Sequence, residues 1–100
     1  MPQQEVIKRV PYVIPCREQR ARLDHILARA QKIDKYRFIR FEQMTNDIQE
    51  YDFAKPFHVG SPEYVLIRLV LFHSTGRIFW EFPSKENKDA RLGSWREDKG

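Results

Sequence analysis

The chain has little cysteine, little glycine and no long apolar run, and each shortage excludes something. Cys16 is the single cysteine. No intrachain disulfide can form, and a thiolate metal site would need ligands from elsewhere. A fold that does without disulfides is expected in the cytoplasm. The four glycines do not cluster, so no loop is suited to cradling phosphates. His25, His58 and His73 have none of the H-x-x-x-H or H-x-x-E-H spacings of a metal site, and no G-x-S-x-G element is present. No metal or other cofactor is expected. The longest apolar run, Tyr64 to Phe72, is nine residues and contains Arg68. A membrane-spanning helix needs about twenty. The first ten residues, MPQQEVIKRV, lack the apolar stretch of a secretory signal. A soluble protein with no membrane contact is expected.

What the chain does have is charge, unevenly placed. Its net charge is +4 and its pI about 9.4. Residues 1–40 hold ten lysines and arginines against four carboxylates, residues 41–65 one against five, and residues 66–100 seven against five. This pattern points to one basic and one acidic surface. A basic surplus of this size fits an anionic partner.

One hundred residues make one domain. Residues 1–83 read as that domain and 84–100 as a charged tail, with Trp95 as its anchor. The β-branched stretch at 5–14, broken by Pro11, is an edge strand or an extended arm. Pro15 suits the start of a helix. The spacing of Leu23, Ile26, Leu27, Ala30 and Ile33 predicts that helix over about 16–33. Phe41, Met44, Ile48 and Tyr51 recur at helical intervals and predict a second helix over 42–51. Residues 36–41 are then its start or a short strand, and 52–62 a loop. Residues 63–73 and 77–82 read as a hairpin, with Gly76 in the turn. The expected fold class is α+β: a long amphipathic helix, a shorter second helix, and a C-terminal antiparallel hairpin.

Three groups of residues carry candidate chemistry. Arg22, His25, Arg29 and Lys32 recur at steps of three and four along the first helix, a row able to track a phosphate backbone. The alternative is a solvated helix face, with Glu18 pairing to Arg22. The stretch KYRFIRF at 35–41 interleaves aromatics with Arg37 and Arg40. Aromatics stack on bases and guanidinium groups hold phosphates. Its aromatics are also wanted by a small core, so Phe38, Ile39 and Phe41 are expected inward and the two arginines outward. Cys16 at a helix N-terminus favours a thiolate, but no histidine is placed near it as a base.

The run IRLVLFHSTGRIFWEFPSKENKDAR resembles the end of RelE/HigB-type toxins, in which paired strands lead to a Phe-x-Lys-Lys-like element. The resemblance covers about a quarter of the chain, and Ser84 stands where a second lysine would fall. It implies a small metal-free ribonuclease using Arg68, Arg77, Lys85 and Glu81.

The expected function is non-catalytic binding to nucleic acid, or to a protein complex that handles it, through Arg22, His25, Arg29, Lys32, Arg37 and Arg40. Two alternatives stand beside it. One is the ribonuclease. The other is a protein–protein adaptor or inhibitor that uses the apolar sheet or the acidic residues Glu42, Asp47, Glu50 and Asp52. The apolar surface of the expected hairpin also fits a homodimer through the sheet.

Overall fold

The computed structural model describes residues 10–82 and 94–99. One helix, α1 (Arg17–Lys32), precedes five strands: β1 (Arg37–Gln43), β2 (Ile48–Pro56), β3 (Tyr64–Phe72), β4 (Ile78–Phe82) and β5 (Ser94–Glu97). The strands pair in sequence order, and all four pairings are antiparallel.

Helix α1 forms where the apolar period places it. Cys16 is its N-cap and Ile33 its C-cap. Gln19 Oε1 accepts from the Cys16 backbone N–H at 3.3 Å, which satisfies a donor at the helix start. Leu23, Ile26 and Ala30 are fully buried, and Leu27 packs beside them. Each large aliphatic side chain buried this way contributes about 2 kcal/mol. Ile33 does not join them. As the C-cap it lies past the last turn and is 72% exposed.

The expected second helix does not form. Residues 42–51 are instead the end of β1, a turn and the start of β2. Thr45 decides this locally: its Oγ1 accepts from the backbone N–H of Asp47 and of Ile48, at 3.2 and 3.1 Å. Met44 N–H donates to Ile48 O at 2.9 Å and closes the turn. The three-and-four spacing of Phe41, Met44, Ile48 and Tyr51 spans this turn and not a helix face. The period that governs is two: Gln49, Tyr51 and Phe53 are all buried on one side of β2.

The hairpin expected at the C-terminus is the centre of a larger sheet. β3 and β4 meet at a turn in which Gly76 takes φ +70°, the left-handed conformation that glycine adopts at little cost. β2 extends through Pro56 into the stretch expected to be loop. Residues 94–97 of the expected tail pair with β4, and Trp95 packs against Phe79 and Phe72 at centroid distances of 5.7 and 6.4 Å. Residues 84–93 and 100, with Lys85 and Lys88, lie outside the described residues, as do residues 1–9 of the expected arm. Residues 10–14 of that arm are irregular, and Val13 is held by side chains: its N–H donates to Gln43 Oε1 at 3.1 Å, and its carbonyl accepts from Gln49 Nε2 at 2.7 Å.

The core lies between α1 and one face of the sheet. Tyr51 and Phe53 from β2, Ile67, Leu69 and Leu71 from β3, and Ile78 and Trp80 from β4 meet Leu23, Ile26 and Ala30. Burial pushes the Tyr51 phenol up to about 12. The helix is tied to the β3–β4 turn by polar bonds as well. Gln19 Nε2 donates to His73 O at 2.8 Å, and Arg22 Nη1 to Gly76 O at 3.1 Å.

Candidate nucleic-acid interface

Strand alternation sorts the charges onto the two faces of the sheet. On the face away from α1, the register sets Arg40, Asp52, Arg68, Glu81 and Trp95 side by side across all five strands. The first four alternate in sign. Arg40 Nε donates to Asp52 Oδ2 at 2.9 Å and Arg68 Nε to Asp52 Oδ1 at 2.8 Å. Arg68 also reaches Glu50 at 3.4 Å and Glu81 at 4.0 Å, with a side chain 14% exposed. Burial alone would raise the Asp52 carboxyl, but hydrogen bonds from Arg68 and Arg40 outweigh it and hold the group below its ordinary range. The Arg68 guanidinium is raised in turn, first by its bond to Asp52. The strands present three arginines, Arg37, Arg40 and Arg68, against Glu42, Glu50, Asp52 and Glu81 on this face. Its surplus is acidic.

The helix side is basic. Helix α1 carries five arginines and lysines against Glu18 and Asp24. Beyond its C-terminal half a cavity of about 290 Å³ opens between the helix and β4–β5. Trp80 and Phe82, two residues apart on β4, and Tyr36 give it aromatic walls; Arg29, Arg96, Glu97, Asp98 and Lys99 complete the lining. Tyr36 stands edge-on to Trp80 at 5.9 Å, and burial, then Asp34, raises its phenol above the ordinary value. The Asp98 carboxylate accepts from Trp80 Nε1 at 2.9 Å and pairs with Arg29 Nη2. Asp98 N–H also donates to Ile78 O at 2.8 Å, so this residue fastens the end of β5 to β4 and to α1. The Arg96 guanidinium lies 5.9 Å from the Phe82 centroid and the Lys55 ammonium 5.5 Å from it, both within cation–π range.

The six residues expected to bind nucleic acid divide between these regions. Arg22, His25, Arg29 and Lys32 are on α1. Arg22 is exposed but donates to Gly76 O and Asp98 O. His25 and Lys32 are exposed. Arg29 is half-buried at the cavity. Arg37 and Arg40 face the other way: Arg37 pairs with Ala54 on the outer face, and Arg40 is held by Asp52 and, at 3.6 Å, by Glu42. The structure therefore brings four of the six to one side and sets two behind the sheet. Within KYRFIRF, Tyr36 and Phe41 pack on the core, whereas Phe38 is 42% and Ile39 48% exposed. The register shift between Phe38 and Arg40 inserts Ile39 as an extra residue, which breaks the alternation expected there.

Sequence reasoning missed Trp80, Phe82, Arg96, Asp98 and Lys99, and weighed Tyr36 only as part of KYRFIRF. The signal for the β4 pair was present, since Ile78, Trp80 and Phe82 alternate in a five-residue strand. Of the residues invoked for ribonuclease chemistry, Arg68 and Glu81 belong to the outer charge row, and Arg77 binds Glu97 at 2.9 and 3.1 Å. Lys85 lies outside the described residues. Cys16 is exposed. Among the described residues no group of three or more His, Cys, Asp or Glu side chains could hold a metal ion, and no helix is long and apolar enough to cross a membrane. Comparison with known proteins gives no family model, no curated protein and no solved structure that matches the chain.

Proposed function

We propose that this is a non-catalytic protein of the cytoplasm that binds single-stranded nucleic acid along its helix side. The observation that carries the reading is the separation of charge across the sheet. Cations dominate α1 and continue through the exposed Arg96 and Lys99. The strand carboxylates gather on the opposite face, where they occupy Arg40 and Arg68. A polyanion approaching the helix side meets attraction, and one approaching the outer face meets surplus acid. Aromatic side chains beside the cations favour unpaired bases, which present a stacking face that a duplex hides.

A salt titration of binding to a short single strand and to its duplex tests this. Four engaged phosphates give a log–log slope of about −3 on the single strand. The dissociation constant expected near physiological salt is in the range of about 1–100 μM. Absence of binding at low salt to either form contradicts the reading and turns attention to a protein partner.

A further inference from the structure

We infer that the cavity between α1 and β4–β5 receives one unpaired nucleotide, its base against the aromatic wall and its phosphate on Arg96 and Lys99. This rests on the reading of the helix side as a nucleic-acid surface and names what one part of that surface holds.

Size limits the occupant. About 290 Å³ sits at the lower end of the roughly 300–1,000 Å³ typical of small-ligand sites. One base with its sugar and phosphate is of that order; a stacked base pair is not. The lining has the two chemistries such a unit needs. Trp80 and Phe82 come from alternate positions of one strand and point to the cavity side; Trp80, 6% exposed, backs the wall, and the half-buried Phe82 and Tyr36 supply its accessible rings. A flat, weakly polar ring is the natural neighbour of such a wall.

The charge at the mouth is positive once existing bonds are counted. Glu97 is engaged by Arg77, whose bond lowers the carboxyl. Asp98 is engaged by Trp80 and Arg29. Arg96 and Lys99 are exposed; Lys99 also acts on Glu97 through its charge, but Glu97 is bonded to Arg77. A guanidinium can bind a phosphate through two parallel hydrogen bonds, and a nearby ammonium adds a point charge. The Asp98 bonds do different work: they fix the Trp80 indole and the Arg29 head, so the walls are set before a ligand arrives.

The test uses the full chain carrying Trp95→Phe. The chain has two tryptophans, and this change leaves Trp80 as the sole indole reporter. Trp95 lies on the outer face, so the cavity is undisturbed. Adenosine 5′-monophosphate, adenosine and inorganic phosphate are titrated separately while Trp80 fluorescence is followed. The monophosphate is expected to quench in a saturable way and to bind at least tenfold tighter than either adenosine or phosphate. Adding Arg96→Ala and Lys99→Ala should weaken it tenfold or more, whereas Arg37→Ala on the outer face should leave it unchanged. Thermal unfolding checks that each variant is folded, and Phe82→Leu gives a second route to the same loss through the aromatic wall. Three results overturn the inference: no saturable response to the monophosphate, phosphate alone binding as tightly, or no effect of the double alanine change. Anisotropy with a labelled single strand is measured in parallel. A strand that still binds while the monophosphate is silent overturns the cavity assignment alone, and loss of both overturns the basic surface as well.

Discussion

The two faces of the sheet share a backbone but differ in what holds them. The inner face is packed against α1 by aliphatic and aromatic side chains that are almost wholly buried. The outer face is organised by charge, with a row in which each arginine finds carboxylates on the neighbouring strand. The difference teaches how a domain of this size can be two-faced in function. The apolar side supplies folding energy in a form insensitive to salt and pH, whereas the charged side contributes modestly and responds to both. It also confines the strands' surplus acid to one surface, and on the helix side Arg17, Arg20, Arg22 and Lys32 are exposed.

Four changes would break or sharpen that contrast. The largest effect is expected on the inner face. Phe53→Ala should cost about 4 kcal/mol, because it removes a fully buried ring that packs against Phe38 and Trp80. Denaturant unfolding should show the loss to be nearly independent of pH between 5 and 8. On the outer face, Arg68→Leu leaves Glu50, Asp52 and Glu81 without their shared guanidinium, a loss of about 3 kcal/mol at neutral pH. That loss should shrink as pH falls toward about 4 and the carboxylates take up protons. An unchanged deficit at low pH would mean that packing, and not charge, is what Arg68 provides.

Asp52→Asn sharpens the same point with a defined sign. The native carboxyl is held below its unfolded value, so the unfolded state binds more protons as pH drops. Its contribution is present above about pH 4 to 5 and is lost as pH falls through the native value. The variant should therefore be less stable than the parent at pH 7, and the two should converge in acid. The smallest effect is at the turn that joins the faces. Gly76→Ala must adopt φ +70°, and its Cβ would stand 3.4 Å from Gln19 Nε2, so about 1 kcal/mol is expected from thermal unfolding.

One helix and one hairpin of this architecture were legible in the sequence; the expected two-helix α+β fold was not what formed, and the failures have identifiable causes. Helix α1 was clear because Leu23, Ile26 and Ala30 repeat with a helical period and Pro15 precedes them. The β3–β4 hairpin was clear because β-branched and aromatic residues flank Gly76. The split of charge between a basic start and an acidic middle survives only in part, since Glu42, Glu50 and Asp52 project from one face but Arg37 and Arg40 share it. The second helix failed because four apolar residues on two strands and a turn imitate a helical stripe, and Thr45, the residue that bonds the turn, resembles an ordinary polar position. β5 failed because four residues in a charged stretch carry almost no periodic signal; only pairing with β4 defines them. The binding row divided for a related reason. A helix and a strand contiguous in sequence can lie on opposite sides of a sheet, so Arg37 and Arg40 do not extend the row begun by Arg22. The cavity could not be read at all, because it joins positions from 29 to 99 that meet only through the fold.

The most direct test of the account compares charge reversal on the two sides under one salt series. Arg17→Glu with Lys32→Glu reverses the helix side, and Arg37→Glu reverses an exposed cation on the outer face. Binding to a labelled single strand is followed by anisotropy from low to physiological salt. The account predicts that the helix-side pair weakens binding at least tenfold and makes the log–log slope shallower by about 1.4, while Arg37→Glu changes neither. Equal losses from both sides, or a loss from Arg37→Glu alone, would contradict it.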